Sequence, residues 1–258
     1  MSDILVVKIG GSTLGAHDTT LEDLVALQRR GLRPVVVHGG GAVISEWLSR
    51  HNVPTRFERG LRVTDAQSLE VVVAVLAGLV NKQLVASLTA LGAAAVGLSG
   101  ADGGLLRARL LDETLGFVGD IMEVDPRPLR WLIGEGTIPV VAPIAVQWEG
   151  ERPTGQLLNV NADTAAGAVA AALGARRLVF LTDVAGVRSA EGETLARVSR
   201  EEAERLVASG VVEGGMVPKV EGCLVAAAAG CLSIIADGRE ERALLSVVEG
   251  AAVGTVVG

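Results

Sequence analysis

The run Arg33-Pro-Val-Val-Val-His-Gly-Gly-Gly-Ala-Val-Ile44 constrains the fold of this chain more than any other stretch. Val35 to Val37 form a β-branched run that reads as a buried parallel strand. Three glycines follow, then an apolar-periodic segment, Ala42 to Leu48, that predicts a helix. Strand, bare backbone and helix N-terminus together present unshielded amide N–H groups. Without Cβ atoms at Gly39, Gly40 and Gly41, a ligand oxygen can approach the backbone closely, and the helix dipole favours negative charge there. A tight turn would need one glycine. Three in a row point to an anion-binding loop.

The first strand, Asp3 to Ile9, repeats the arrangement, ending in Lys8-Ile-Gly-Gly-Ser12. A lysine near the end of a buried strand is costly without an anionic partner. Two glycine-bearing strand ends so close in sequence predict neighbouring strands of one parallel sheet, whose ligands gather at the carboxyl ends. A helix is expected from about Asp18 to Arg30, with Leu21, Leu24, Val25 and Leu27 on one face. Thr64 or Asp65 should cap a long helix from Ala66 to about Leu91. Its stretch Leu69 to Val80 is apolar nearly all round, which implies burial on several sides or a subunit contact.

Further strands are expected at Ala94 to Leu98, Ile138 to Ala142, Arg177 to Leu181, Leu232 to Ala236 and Thr255 to Val257. Arg107 to Asp125 alternates and predicts antiparallel structure beside the main sheet, and Trp148 to Gly155 the tip of a second hairpin. Asn159, Asn161 and Asp163 alternate with Val160 and Ala162, which puts three polar side chains on one side of an extended stretch. Asp163 is also the expected N-cap of an alanine-rich helix, Thr164 to Leu173. Helices are expected at Pro126 to Glu135, Ser199 to Ser209, from Lys219 to Gly230, and from Arg239. Strand and helix alternate throughout with no Pro/Ser linker. The fold class is therefore α/β, with an open, mainly parallel sheet between helices on both faces, in one domain spanning residues 1–258.

A net charge of −7 without a basic stripe argues against a nucleic-acid surface. Uninterrupted apolar runs reach only about ten residues, short of a bilayer span. The start, Met1-Ser-Asp3, shows no signal peptide. Cys223 and Cys231 fall in an expected helix, roughly 12 Å apart along it and out of disulfide reach. A soluble cytoplasmic protein is expected, without nucleic-acid or membrane partners. Among its cations, twenty arginines stand against three lysines, Lys8, Lys82 and Lys219. Where arginine is the default, a lysine marks a place for a compact point charge instead of a planar fork.

Several glycine-loop chemistries are excluded. A dinucleotide fingerprint needs glycine or alanine where Ile44 stands, and the Gly-Lys dipeptide of a P-loop is absent. His38-Gly-Gly-Gly41 imitates the oxyanion loop of esterases. Neither Ser12 nor Ser99 sits in G-x-S-x-G, however, and no histidine follows His51. Amide nests, two lysines at distant glycine turns and a carboxylate between them are the equipment of phosphoryl transfer. No general base stands out. A carboxylate acceptor, already ionised at pH 7, would need none.

Lys8-Ile-Gly-Gly11, His38-Gly-Gly-Gly41, Gly60-Leu-Arg-Val-Thr64, Leu115-Gly-Phe-Val-Gly119, Asn159-Val-Asn-Ala-Asp163, Thr182-Asp-Val-Ala-Gly186 and Gly215-Met-Val-Pro-Lys219 follow in this order. Together they resemble the amino acid kinase family, and within it the acetylglutamate kinases of arginine biosynthesis, over essentially the full length. Ala42 departs from the proline of many relatives. The resemblance implies a three-layer αβα fold. It casts Lys8 and Lys219 as transition-state-stabilising lysines, with Asp163 as the carboxylate that orients them. Gly10, Gly11, Gly40 and Gly41 resemble the amide donors, the first two toward ATP and the last two toward the substrate. Arg62, Asn159 and Asn161 resemble substrate-binding groups. Thr182, Asp183, Val184, Gly186, Val187, Arg188, Val211, Val212, Glu213 and Met216 resemble the ATP site.

The implied reaction joins ATP and N-acetyl-L-glutamate to give the γ-acyl phosphate and ADP, with Mg²⁺ carried by the nucleotide phosphates and no protein metal site. Residues to about 160 would bind the amino acid and dimerise, and those from about 161 would bind the nucleotide. The alternatives are a kinase for carrier-protein-linked α-aminoadipate or glutamate in lysine biosynthesis, and a non-catalytic amino-acid-binding regulator. Arginine-inhibited members resemble one another in an extra N-terminal helix that builds a hexamer. With the first strand starting by Asp3 or Ile4, the expectation is a homodimer not inhibited by arginine, with the helix at Leu69 to Val80 in its interface.

Overall fold

The computed structural model describes residues 3–10 and 19–258. Gly11, expected at the ATP site, lies outside the described residues. In chain order the elements are β1 (Ile4–Ile9), α1 (Thr20–Arg29), β2 (Arg33–His38), α2 (Gly41–Arg50) and a short hairpin of β3 (Phe57–Glu58) and β4 (Leu61–Arg62). Then come α3 (Ala66–Val73), a π-helical stretch (Ala74–Val80) and α4 (Asn81–Ala90), which run as one rod of 25 residues. There follow β5 (Ala95–Ser99), β6 (Leu106–Leu110), β7 (Val118–Val124), α5 (Arg127–Gly134), β8 (Ile138–Ala142), β9 (Ile144–Glu149), β10 (Arg152–Val160) and α6 (Ala162–Leu173). The chain closes with β11 (Arg177–Thr182), β12 (Arg197–Val198), α7 (Arg200–Ala208), α8 (Val217–Ala228), β13 (Leu232–Asp237), α9 (Ala243–Glu249) and β14 (Thr255–Val257).

Eight strands make the main sheet in the order β12-β14-β13-β11-β1-β2-β8-β5. From β13 to β5 all neighbours are parallel, and β14 pairs antiparallel with β13. Alternate residues of the central strands feed two separate cores. Val6, Val35, Val37, Leu178 and Phe180 pack with α5, α6 and α8; Leu5, Val7, Ile9, Val36, Val179 and Leu181 pack with α1, α2, the rod and α9. That period of two is what a sheet covered on both faces requires. It makes the three-layer αβα sandwich. On one side β10, β7, β6 and β9 close into a small barrel, the form taken by the antiparallel structure expected around Arg107 to Asp125.

Four expectations are corrected. Helix α6 begins two residues early, and Asn161 is its N-cap, with Oδ1 accepting from the N–H groups of Asp163 and Thr164. Asp163 therefore sits inside the first turn and not on an extended stretch. Helix α9 starts at Ala243 instead of Arg239. Asp237 captures the amide and guanidinium of Arg239 in a local turn, and Arg242 takes a left-handed φ of 58° before the helix begins. Cys231 lies beyond the end of α8, and both cysteines are buried free thiols. Lastly, Ala66–Ala90 is long and apolar enough to span a bilayer, although no single run suggested it. Its Leu69, Val72, Val75, Leu76, Val80, Leu84 and Leu88 are buried. Asp65 caps its start, accepting from Ser68 N–H at 2.7 Å.

Candidate active site

Strand register brings the motifs together. Ile9 lies opposite both His38 and Leu181, so β1, β2 and β11 end within one residue of one another and their loops emerge side by side. Lys8 reaches over this edge and is only 7% exposed. Its Nζ is 2.7 Å from Asp163 Oδ1. From the start of α8, Lys219 donates to the other oxygen, Oδ2, at 3.0 Å and to the Gly215 carbonyl at 3.0 Å. One carboxylate thus holds two ammonium groups. Burial lowers the Lys8 pKa and the nearby Lys219 charge adds to this, while Asp163 opposes both. Ionised, the triad carries one net positive charge in a site shielded from water, which suits a transferred phosphoryl group.

A cavity of about 270 Å³ opens beside the triad, lined by Lys8, Gly39, Gly40, Gly41, Arg62, Asn159, Asn161 and Asp163, with Ile44, Leu76 and Pro143 as apolar wall. The Ile44 amide makes the first bond of α2, to Gly40 O, so the amides of Gly40 and Gly41 have no carbonyl four residues back within the helix. Those of Gly10 and Gly39 donate to Leu181 O and Ile9 O, inside the sheet. The bare backbone also has a steric reason. A Cβ on Gly40 would stand 2.7 Å from Leu76 Cδ2, so the rod packs straight onto the loop.

Arg62 ends β4, opposite Phe57 in the hairpin; it is 7% exposed, with its guanidinium 4.7 Å from the Phe57 ring centroid. Its Nη2 donates to Gly41 O and to Ser45 Oγ, both at 2.9 Å. Among the described residues no carboxylate pairs with it in an ion pair. Burial lowers its pKa, and an acidic ligand in the cavity would supply the missing counter-charge. Asn159 donates to Thr64 Oγ1 at 3.1 Å, and that hydroxyl donates to Arg62 O at 2.9 Å, which ties the strand end to the hairpin.

The residues expected around ATP are placed less uniformly. Thr182 ends β11, and its hydroxyl donates to Asp183 at 3.2 Å. Thr255 Oγ1 fills the space a Gly186 side chain would need, and it accepts from Val187 N–H at 2.8 Å. Val187 and Val212 are buried in the same core, so only their backbones could meet a ligand. Arg188 bridges to Thr194 across a tight turn, while Val184 stays in the loop after β11. Val211 and Glu213 flank Val212 ahead of the short 3-10 turn Gly214–Met216 that leads into α8. A second cavity, about 490 Å³, adjoins the first along Gly60, Leu61, Val118, Val160 and Asn161, and it reaches Gly214, Val217 and Glu221.

Two groups of neighbours were not foreseen in the sequence. Ser45 and Thr55 flank Arg62, and buried Asn81 contacts His38. Only the fold joins the last two. A faint signal existed in Gly97, a glycine in a strand, where Asn81 occupies the space of a side chain.

A profile of the amino acid kinase family matches residues 3–237. The acetylglutamate kinase of Dehalococcoides mccartyi is 42% identical over 258 residues, which is 99% of this chain and 94% of that protein. The crystal structure of smu.665 from Streptococcus mutans superposes with a TM-score of 0.85 at 31% identity, covering 100% of this chain and 99% of that one. N-acetylglutamate synthase from Neisseria gonorrhoeae, solved with coenzyme A and N-acetyl-glutamate, gives 0.84 at 26% identity over 100% of this chain and 60% of its own. Since the profile covers most of the chain and relatives match it nearly end to end, the chain belongs to the amino acid kinase family.

Proposed function

We propose that the protein transfers the γ-phosphoryl group of ATP to the γ-carboxylate of N-acetyl-L-glutamate, the activity carried in the name of its curated relatives. The observation behind the substrate is the buried Arg62 guanidinium, without a carboxylate partner among the described residues, facing the same cavity as the lysine triad. Its free donors grip the α-carboxylate, with Asn159 and Asn161 alongside. The side-chain carboxylate then points toward Lys8. That oxygen attacks phosphorus, the bond from phosphorus to the ADP oxygen breaks, and no proton has to move. Lys8 and Lys219 neutralise the oxygens of the transferred group. Asp163 holds both lysines at fixed spacing, and the amides of Gly40 and Gly41 at the start of α2 add neutral donors. Both Asp163 oxygens are engaged by ammonium groups, so Mg²⁺ enters with the nucleotide as part of the substrate.

In this reading residues to about 160 hold the amino acid, and those from about 161, with the loops after β11 and before α8, hold the nucleotide. The outward face of the rod, with Val71, Val73 and Leu79 half-buried, and the edge strand β5, with Val96 exposed, form the contact of a homodimer. Two buried free thiols suit the reducing cytoplasm as its compartment.

The test is to incubate the protein with ATP, Mg²⁺ and N-acetyl-L-glutamate, trap the acyl phosphate with hydroxylamine, and repeat with free glutamate and aspartate. Hydroxamate should form fastest with the acetylated substrate. Equal rates with free glutamate would overturn the reading.

A further inference from the structure

Two of the three lysines meet at Asp163. The third, Lys82, stands at the start of α4, on the far side of the glycine loop, and the reaction as derived does not use it. Its Nζ donates to Asn81 Oδ1 at 3.0 Å and to Gly97 O at 3.0 Å. This holds the Asn81 amide one way round. Asn81 is 1% exposed, and its Nδ2 faces three acceptors, Val140 O at 2.8 Å, His38 Nε2 at 3.2 Å and, more distantly, Leu98 O at 3.4 Å. With Nε2 accepting, the neutral ring carries its proton on Nδ1, which donates to Gly39 O at 2.9 Å. An unbroken line of contacts therefore runs from an ammonium group to the backbone of the anion loop.

The surroundings are built for this line. Gly97 lies mid-strand, where a glycine is unfavourable, yet a Cβ there would run into the Asn81 amide and come 2.7 Å from Lys82 Nζ. His38 is as buried as Asn81, and β2 would be apolar to its end without it.

The Gly39 carbonyl and the Gly40 N–H belong to one planar trans peptide, so they point in opposite directions. Fixing the carbonyl fixes the amide. We propose that Lys82, Asn81 and His38 form a positioning relay that holds the Gly39–Gly40 peptide plane and thereby aims the Gly40 N–H into the cavity beside Lys8. None of the three touches the reacting atoms. They set the direction of one donor to the transferred group, a role that rests on the phosphoryl-transfer reading above.

The tautomer and the kinetics test this separately. With three histidines in the chain, the ring nitrogen shifts of ¹⁵N-histidine-labelled protein are resolvable. His38 should be the neutral Nδ1–H form at pH 7, and Lys82→Met should shift its nitrogen signals toward tautomer exchange. In the kinetics, His38→Asn keeps a donor to Gly39 O, whereas His38→Leu does not. The leucine variant should lose about tenfold or more in kcat with an unchanged KM for ATP, and the asparagine variant should stay within about threefold of wild type. An Nε2–H tautomer in the wild type, or equal impairment of the two variants, would overturn the relay. The tautomer result stands whichever acceptor the enzyme phosphorylates.

Discussion

Gly167 and Gly222 meet where α6 crosses α8. A Cβ on Gly167 would collide with the Gly222 carbonyl and lie 2.6 Å from its Cα, and one on Gly222 would lie 2.8 Å from Asp163 O. The crossing sits about one helical turn beyond Asp163 on α6 and beyond Lys219 on α8. The two glycines thus set how closely the carboxylate and its lysine approach. Gly167→Ala should push the helices apart, destabilising the fold by about 1–3 kcal/mol and lowering kcat by about tenfold or more. Denaturant melts and steady-state kinetics on the same preparation check this. Unchanged kcat in a stable variant would detach the crossing from the chemistry.

Replacing Lys8 or Lys219 by arginine keeps the charge but puts a planar fork where a compact ammonium fits between carboxylate and ligand. The chain uses arginine elsewhere, so the choice of lysine here is informative. Turnover should fall by roughly two to three orders of magnitude in either variant, with smaller changes in the KM values. Near-normal turnover of Lys219→Arg would defeat the point-charge account.

For Arg62 the expected pattern is the reverse. Arg62→Ala removes a donor to Gly41 O and Ser45 and, among the described residues, the only guanidinium lining the smaller cavity. The KM for N-acetyl-L-glutamate should rise by about tenfold or more, while that for ATP stays nearly constant. Equal increases in both would mean that Arg62 shapes the glycine loop instead of reading the substrate.

What the sequence made legible follows from where each signal resides. Strands β1, β2 and β11 are buried on both faces, so their continuous apolar runs were unmistakable, and the glycines after β1 and β2 marked the carboxyl edge. Lys8, Asp163 and Lys219 could be named because each sits beside local punctuation, a glycine pair or a helix start. The choice of Asn161 over Asp163 as cap could not be made, because both residue types cap well and the lysines claim Asp163 only in three dimensions. Closure of the small barrel depends on the register between β7 and β10, which no local pattern carries. The contact between His38 and Asn81 joins residues 43 positions apart through the packing of the rod on the sheet.

The last prediction concerns acid. His38 is buried against Asn81, and its pKa is lowered from 6.5 to about 4. Burial is the main cause; the charges of Lys8 and Lys82 add to it, and the Gly39 carbonyl works against it. In the unfolded chain the ring titrates near its ordinary value. Between about pH 6.5 and 4 the unfolded state therefore binds a proton that the folded state refuses, and stability falls as the pH drops through that window. The full effect is about 3 kcal/mol, and about 2 kcal/mol of it should be lost by pH 5. Protonated Nε2 would also face the Asn81 amide donor to donor. His38→Asn has nothing to titrate there. Urea unfolding at pH 7 and pH 5 should show wild type losing about 2 kcal/mol more than the variant, since carboxylate contributions are common to both. Parallel losses in the two proteins would mean that His38 accepts its proton in the folded state as readily as in the unfolded chain, and the lowering of its pKa by burial would have to be abandoned.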